Sequence, residues 1–273
     1  MFELSKRYFH LPLEEKLKHQ IQEKNHGYVR AGQENLDSTD QKSMDLKEAF
    51  NISRLTNEED LPALFQENGN FRLVNQFQFD CYSLCMKLLK YLAIGFEIDE
   101  DYFLSRHKWD EDSSDIIRLL YYPSSSSLTT EKSIRAGAHS DYGSITLLFQ
   151  HEEKGGLQVF DRVTKQWCDV KPYNEMIVVN TADALEYWTK GFVKSTVHRV
   201  IMPDQLSPDE RYSIAYFCQP SNTVLLEPIP SKYMINRVFE KDEHAKHVLN
   251  HESDKILTAG EHLRLRLNKT YAY

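Results

Sequence analysis

Apolar positions along the chain follow two regimes. Between residues 70 and 95 they recur every three or four residues, at Phe71, Val74, Phe77, Cys81, Leu84, Leu88 and Leu92. That spacing predicts a long helix with one apolar face, stopping at Gly95. A shorter helix is expected around Asp101–His107. From about Ser114 the apolar runs become short and strand-like. Ile116–Tyr122 reads as a strand closed by Pro123. Further strands are expected at Ile145–Gln150, Leu157–Phe160, Trp167–Val170, Met176–Asn180, Val197–Met202 and Tyr212–Cys218. Ser124–Ser127, Gly155-Gly156, Asp161–Lys165 and Pro203–Glu210 punctuate them as turns or loops. Residues 1–24 read as helix, with Pro12 at the start of a turn and Glu14 and Glu15 in first-turn positions that suit the helix dipole. Residues 25–58, broken by Gly27 and Gly32, read as an ordered loop region. About 231–250 and 258–270 return to helix.

The layout is therefore helical, then β-rich, then helical. It implies one β core with helices packed outside it, in the manner of a sandwich or barrel. The three stretches, 1–113, 114–230 and 231–273, are read as one structural unit. A chain of 273 residues is long enough for a sizeable core. The net charge of −8, with no dense Lys/Arg run, argues against a nucleic-acid partner. No apolar run approaches the roughly 18–20 residues that span a bilayer, so no membrane association is expected. Four cysteines in a chain this long are not a disulfide scaffold. Cys81 and Cys85 share one helix face and are read as core. The first ten residues lack a secretory or transit pattern. The expected setting is cytoplasmic, with the nucleus left open, and the expected state is a monomer.

Candidate chemistry sits in Gly137-Ala-His139-Ser-Asp141-Tyr-Gly143. On an extended strand, residues two apart point to the same side. His139 and Asp141 would then face a common point, and a second His from a distant strand would complete three ligands on one octahedral face. Imidazole with carboxylate suits Fe(II) better than the all-thiolate sets of structural zinc. A plain hydrogen-bonded His–Asp pair gives the same local pattern, and with 11 histidines a partner is easily found. His244, His247 and His251 also have helical ligand spacing, but a solvated helix face explains them better.

The wider context adds Asn180-Thr-Ala-Asp183, His198-Arg-Val200 at 57 residues beyond Asp141, and Arg211-Tyr-Ser213 at 13 residues beyond His198. With Leu11-Pro-Leu-Glu-Glu-Lys16, Gly155-Gly-Leu-Gln-Val159 and Thr258-Ala-Gly-Glu-His-Leu263, the chain resembles the iron(II)/2-oxoglutarate-dependent dioxygenases over nearly its whole length. The likeness is to their isopenicillin N synthase-like branch. The resemblance implies a double-stranded β-helix, or jelly roll. It implies His139, Asp141 and His198 as iron ligands. It also implies that Arg211, Ser213 and Tyr122 receive the distal carboxylate of 2-oxoglutarate, a role that suits a guanidinium fork beside hydroxyl donors. The implied reaction couples decarboxylation of 2-oxoglutarate to succinate with hydroxylation or desaturation of a small organic molecule. It consumes O2, with ascorbate a candidate reductant.

Phe217, Tyr28 and Tyr142 are the substrate candidates. Phe217 shares a strand face with Arg211 and Ser213, and a core role suits it equally. Two other functions use the same residues. An oxidase of the isopenicillin N synthase kind would hold a substrate carboxylate on Arg211 and Ser213 and need no 2-oxoglutarate. A non-catalytic protein would bind iron or 2-oxoglutarate and act through partners. Three departures from the family stand out. Several dozen residues that usually precede the segment starting at Met1, including a strand, have no counterpart. Leu120 stands where plant members often have Asn. Ala182 stands where the family has Gly, and it is tolerated only if the backbone there does not need a positive φ.

Overall fold

The computed structural model describes residues 1–21, 25–34, 36, 45–54, 56–124, 134–151, 154–201, 210–237 and 256–270. Its strands are β1 (Gly27–Val29), β2 (Glu48–Ser53), β3 (Ile116–Tyr122), β4 (Ile134–His139), β5 (Ile145–Gln150), β6 (Leu157–Asp161), β7 (Gln166–Asp169), β8 (Ile177–Thr181), β9 (His198–Ile201) and β10 (Arg211–Cys218). They form two antiparallel sheets, ordered β1-β2-β3-β10-β5-β8 and β4-β9-β6-β7. From β3 to β10 the chain winds back and forth between the sheets, which is the expected jelly roll. The helices are α1 (Phe2–Phe9), α2 (Leu13–Leu17), α3 (Ala63–Gln66), α4 (Asn70–Gly95), α5 (Asp183–Trp188) and α6 (Ala259–Thr270).

The two-residue period of the larger sheet sorts its side chains into two cores. On β10, Tyr212, Ile214, Tyr216 and Cys218 join an outer core with Val74, Cys81, Cys85, Leu89 and Ala93 of α4. The intervening Ser213, Ala215 and Phe217 face a cavity between the sheets. Strand β3 divides in the same way, with Ile117 and Leu119 outward and Leu120 and Tyr122 inward. Burial of this outer apolar face supplies most of the driving force that fixes the sheet.

Several expectations change. The single helix over 1–24 is two helices, because Pro12 caps the second with an extended backbone (φ −52°, ψ 144°). The loop region of 25–58 contains β1 and β2, which extend the larger sheet. Both were hidden because β1 is three residues long and β2, Glu-Ala-Phe-Asn-Ile-Ser, is buried on both faces with polar residues among the apolar ones. The helix around Asp101–His107 is a short 3-10 turn at Leu104–Arg106. Strand β4 was expected only as extended backbone at His139 and Asp141, and it runs instead over Ile134–His139. The His244–His251 segment, with most of the 231–250 helix, lies outside the described residues.

His107 joins this framework to the loop after β4. It is fully buried, its Nδ1 donates to the Phe103 carbonyl at 2.7 Å, and its Nε2 meets Ser144 Oγ at 2.8 Å. Burial, ahead of every other influence, pushes its pKa down to about 4. Between pH 6.5 and 4 the unfolded chain holds a proton there that the folded chain does not. Stability therefore falls as pH drops through that window, by at most about 1.4 kcal/mol per pH unit. Urea unfolding of the metal-free protein across pH 4–7 is expected to carry this contribution, and His107→Gln to reduce the slope by that amount.

Candidate active site

Three side chains from two adjacent strands and one turn converge inside the jelly roll. His139 ends β4 and His198 begins β9, and the two are register partners. Their ring centroids lie 4.3 Å apart. Each Nδ1 donates to a backbone carbonyl two residues earlier, His139 to Gly137 at 2.7 Å and His198 to Thr196 at 2.8 Å. That leaves both Nε2 atoms with their lone pairs free. These lie 3.9 and 3.8 Å from Asp141 Oδ1. Among the described residues, His139, Asp141 and His198 form the one group of three or more potential ligands, with the chosen atoms within 4.8 Å of one another.

Asp141 is not oriented by strand alternation, as the sequence had suggested, since β4 ends at His139. It sits in the following turn, where its carbonyl accepts from Asp183 N–H at 2.9 Å. Its Oδ2 accepts from Thr146 Oγ1 and from Asn180 Nδ2, both at 2.7 Å. Oδ1 is left to face the imidazoles. Burial alone would raise this carboxyl, but His198, His139 and the two donors outweigh it and hold it below the ordinary range. Burial, and then His198, push His139 down to about 4. Two imidazoles and one carboxylate on one side of a pocket suit a hard-to-borderline divalent ion such as Fe(II).

Arg211, Ser213 and Tyr122 meet on the opposite wall. Arg211 pairs in register with Tyr122 and lies over its ring, 4.9 Å from the centroid. The guanidinium reaches Ser213 Oγ at 3.3 Å and Gln150 Oε1 at 3.0 Å, and its buried Nε has no hydrogen-bond partner. No carboxylate among the described residues forms an ion pair with it. Burial lowers its pKa, opposed by Tyr122. A buried cation with only neutral neighbours is costly and calls for an anion. The residues present therefore fit a carboxylate ligand.

Both groups line one cavity of about 1120 Å³, its open mouth included. Phe217 and Tyr142 line it too, as two of the three substrate candidates should. Tyr28 does not. It is 2% exposed in the outer core, packed near Tyr8, with its hydroxyl donating to Glu48 Oε2 at 2.5 Å. The inward side chain on that strand is Val29. Leu120, the departure from the Asn that plant members often have, faces the cavity beside Ser213 and adds apolar wall there. Ala182 has φ −128° and ψ 179°, so its Cβ costs nothing there.

The family profile of the 2OG-Fe(II) oxygenase superfamily matches residues 113–220. That of the non-haem dioxygenase in morphine synthesis N-terminal matches residues 1–77. Proline hydroxylase buaE of Petromyces alliaceus is 33% identical over 287 residues, covering 99% of this chain and 84% of that protein. The chain belongs to the 2OG-Fe(II) oxygenase superfamily. A UPF0676 protein of Schizosaccharomyces pombe is 35% identical over 281 residues, covering 100% of this chain and 80% of its own length. A full-length Neurospora crassa protein solved with alpha-KG and thymine superposes with a TM-score of 0.78 at 32% identity, over 98% of this chain and 82% of that one. This protein is accordingly an iron(II)- and 2-oxoglutarate-dependent dioxygenase.

Sequence reasoning did not single out Thr146 and Asn180 as supports of Asp141. Asn180 lies inside a quoted motif, and Thr146 stands two residues into β5 with its side chain inward, so the strand period was the available signal. Asn180→Ala removes one of the two donors that hold Asp141 Oδ2. It is expected to weaken Fe(II) binding by roughly 10–100-fold in an anaerobic metal titration, while Thr146→Ser stays close to wild type.

Proposed function

We propose that His139, Asp141 and His198 hold the iron, that Arg211, Ser213 and Tyr122 receive the distal carboxylate of 2-oxoglutarate, and that the enzyme hydroxylates or desaturates a small planar molecule bound against Phe217. The observation that carries this reading is the buried Arg211 guanidinium with no anion of its own, across the cavity from the three ligands. When bound, iron and 2-oxoglutarate supply an oxidant through decarboxylation of the cosubstrate to succinate and carbon dioxide.

The chain's own residues then have defined tasks. Arg211 neutralises and aligns the distal carboxylate through a charge-assisted fork, with Ser213 Oγ and Tyr122 Oη as added donors. Thr146 and Asn180 hold the Asp141 carboxylate so that one oxygen stays turned to the imidazoles. Leu120, Leu148, Leu157, Val178 and Val200 line the space around these groups and limit water there. Phe217 lies six residues along β10 from Arg211, roughly 20 Å at the rise of a strand, so it faces the far end of the cavity. Its ring offers a stacking surface to a flat substrate. The thymine bound to the Neurospora crassa protein is a molecule of that shape and supports this choice of substrate class. Tyr142 is tied to α6, its hydroxyl 2.5 Å from Thr270 Oγ1 and its ring under Arg266. It therefore acts more as wall than as a mobile contact.

The test is anaerobic addition of Fe(II) and 2-oxoglutarate, monitored by the visible metal-to-ligand charge-transfer band, followed by admission of oxygen and a succinate assay. The band and oxygen-dependent succinate are expected. Arg211→Met is expected to raise the 2-oxoglutarate concentration needed for the band by at least about 100-fold, a charged hydrogen-bonded contact contributing ~3 kcal/mol. No band would overturn the cosubstrate role and favour the oxidase reading. A band without succinate across a panel of planar metabolites would favour a non-catalytic binding protein.

A further inference from the structure

Beside the iron-ligand candidate His139 lies a cluster of four charged side chains, three of them buried and Arg118 partly so, whose two cations also line the cavity. Asp45 is 1% exposed, Glu34 2% and Lys47 4%. Lys47 Nζ lies 2.6 Å from Asp45 Oδ2 and 3.0 Å from Glu34 Oε2, and Arg118 grips both oxygens of Glu34 at 2.5 Å. Two cations and two anions cancel, so the cluster is neutral as a whole. Asp45 uses its second oxygen elsewhere. Oδ1 accepts the backbone N–H of Gly137 at 3.0 Å.

That amide has a special place. Among the described residues, strand β4 lies at the edge of its sheet and pairs with β9 alone. Its register runs Ala136↔Val200 and then His139↔His198, so Gly137 and Ala138 together oppose the single residue Arg199. This is a β-bulge, a device that leaves the local ladder broken and re-aims the following side chain. The Gly137 carbonyl is the acceptor that fixes the His139 ring through Nδ1. Asp45 therefore holds the peptide unit on one side of the Gly137 Cα, and the carbonyl that fixes His139 belongs to the unit on the other side, so the anchor and the ring's acceptor share one residue of the bulge.

We infer that Asp45 is a positioning residue for the iron site, anchoring the Gly137 bulge so that His139 Nε2 is turned toward Asp141 and His198. The inference rests on the ligand reading given above. Position, not charge, is the property that matters. In Asp45→Asn the amide oxygen keeps the Gly137 N–H, and Lys47 gives up one of its two acceptors but retains Glu34. A longer acid keeps the charge and misplaces the oxygen that meets Gly137 N–H.

Two substitutions separate these properties. In the full-length protein without oxygen, Co(II) and Fe(II) affinities and the Co(II) ligand-field spectrum are measured for wild type, Asp45→Asn, Asp45→Glu and His139→Ala, beside the thermal midpoint of each metal-free protein. Asp45→Asn is expected to bind within about threefold of wild type with an unchanged spectrum. Asp45→Glu is expected to bind roughly 10–100-fold more weakly, with a shifted spectrum. The reverse pattern would assign the effect to charge and overturn the inference. Equal affinities for both variants, or equal losses that track the thermal midpoint, would overturn it as well. His139→Ala guards the underlying reading: wild-type affinity in that variant would sink the ligand assignment itself, a result distinct from any outcome at Asp45.

Discussion

Strand β10 is buried on both faces, and every functional feature of the molecule follows from how its two-residue period is spent. The outward residues, Tyr212, Ile214, Tyr216 and Cys218, are clamped by α4 and the rest of the outer core. With that face fixed, Arg211, Ser213, Ala215 and Phe217 have no choice but to face the cavity. A slip of one residue would bury the guanidinium in the apolar layer and turn Tyr212 into the site, so the helix packing outside is also what sets the cosubstrate end inside. Strands β3 and β5 obey the same rule. They bring Tyr122 and Leu120 to one side of β10, and Thr146 and Leu148 to the other.

The cavity that results is electrostatically divided. At one wall two imidazoles and a carboxylate form a cation receptor. At the other a buried cation lacks an anion. Each half is unfavourable alone, because a buried charge without a partner loses its hydration. A divalent cation held at the first wall and a dicarboxylate held at the second would satisfy both halves. The apolar residues between them keep the local dielectric low and strengthen each interaction. Function is therefore written in what the folded chain leaves unsatisfied, and the neutral Glu34–Asp45–Lys47–Arg118 cluster shows the contrast: its charges are met within the protein and serve as scaffold.

Much of this was legible in the residues. The helix over 70–95 declared itself through spacing, and its observed limits are Asn70 and Gly95. The family motifs named His139, Asp141, His198, Arg211, Ser213 and Tyr122, and the structure brings all six to one cavity. What stayed hidden depended on partners distant in sequence. Strands β1 and β2 are too short or too mixed to show alternation, and β4 is a bulged edge strand with the small residues Ala136, Gly137 and Ala138. Tyr28 looked like a loop aromatic after a glycine, but its hydroxyl belongs to Glu48, 20 residues on, and its ring to Tyr8 of α1. Asp45 gave no local sign of its task, since the amide it holds is 92 residues away.

The central claim is that one cavity holds iron on the β4–β9 side and the distal carboxylate of 2-oxoglutarate on Arg211. The most direct measurement is a crystal structure of the protein grown without oxygen in Fe(II) and 2-oxoglutarate, with diffraction recorded on both sides of the iron absorption edge. The account predicts an anomalous peak within about 2.0–2.2 Å of His139 Nε2, Asp141 Oδ1 and His198 Nε2, distances typical of divalent metals with such ligands, and a carboxylate forked on Arg211. An iron peak elsewhere, or 2-oxoglutarate bound with Arg211 left unengaged, would contradict it.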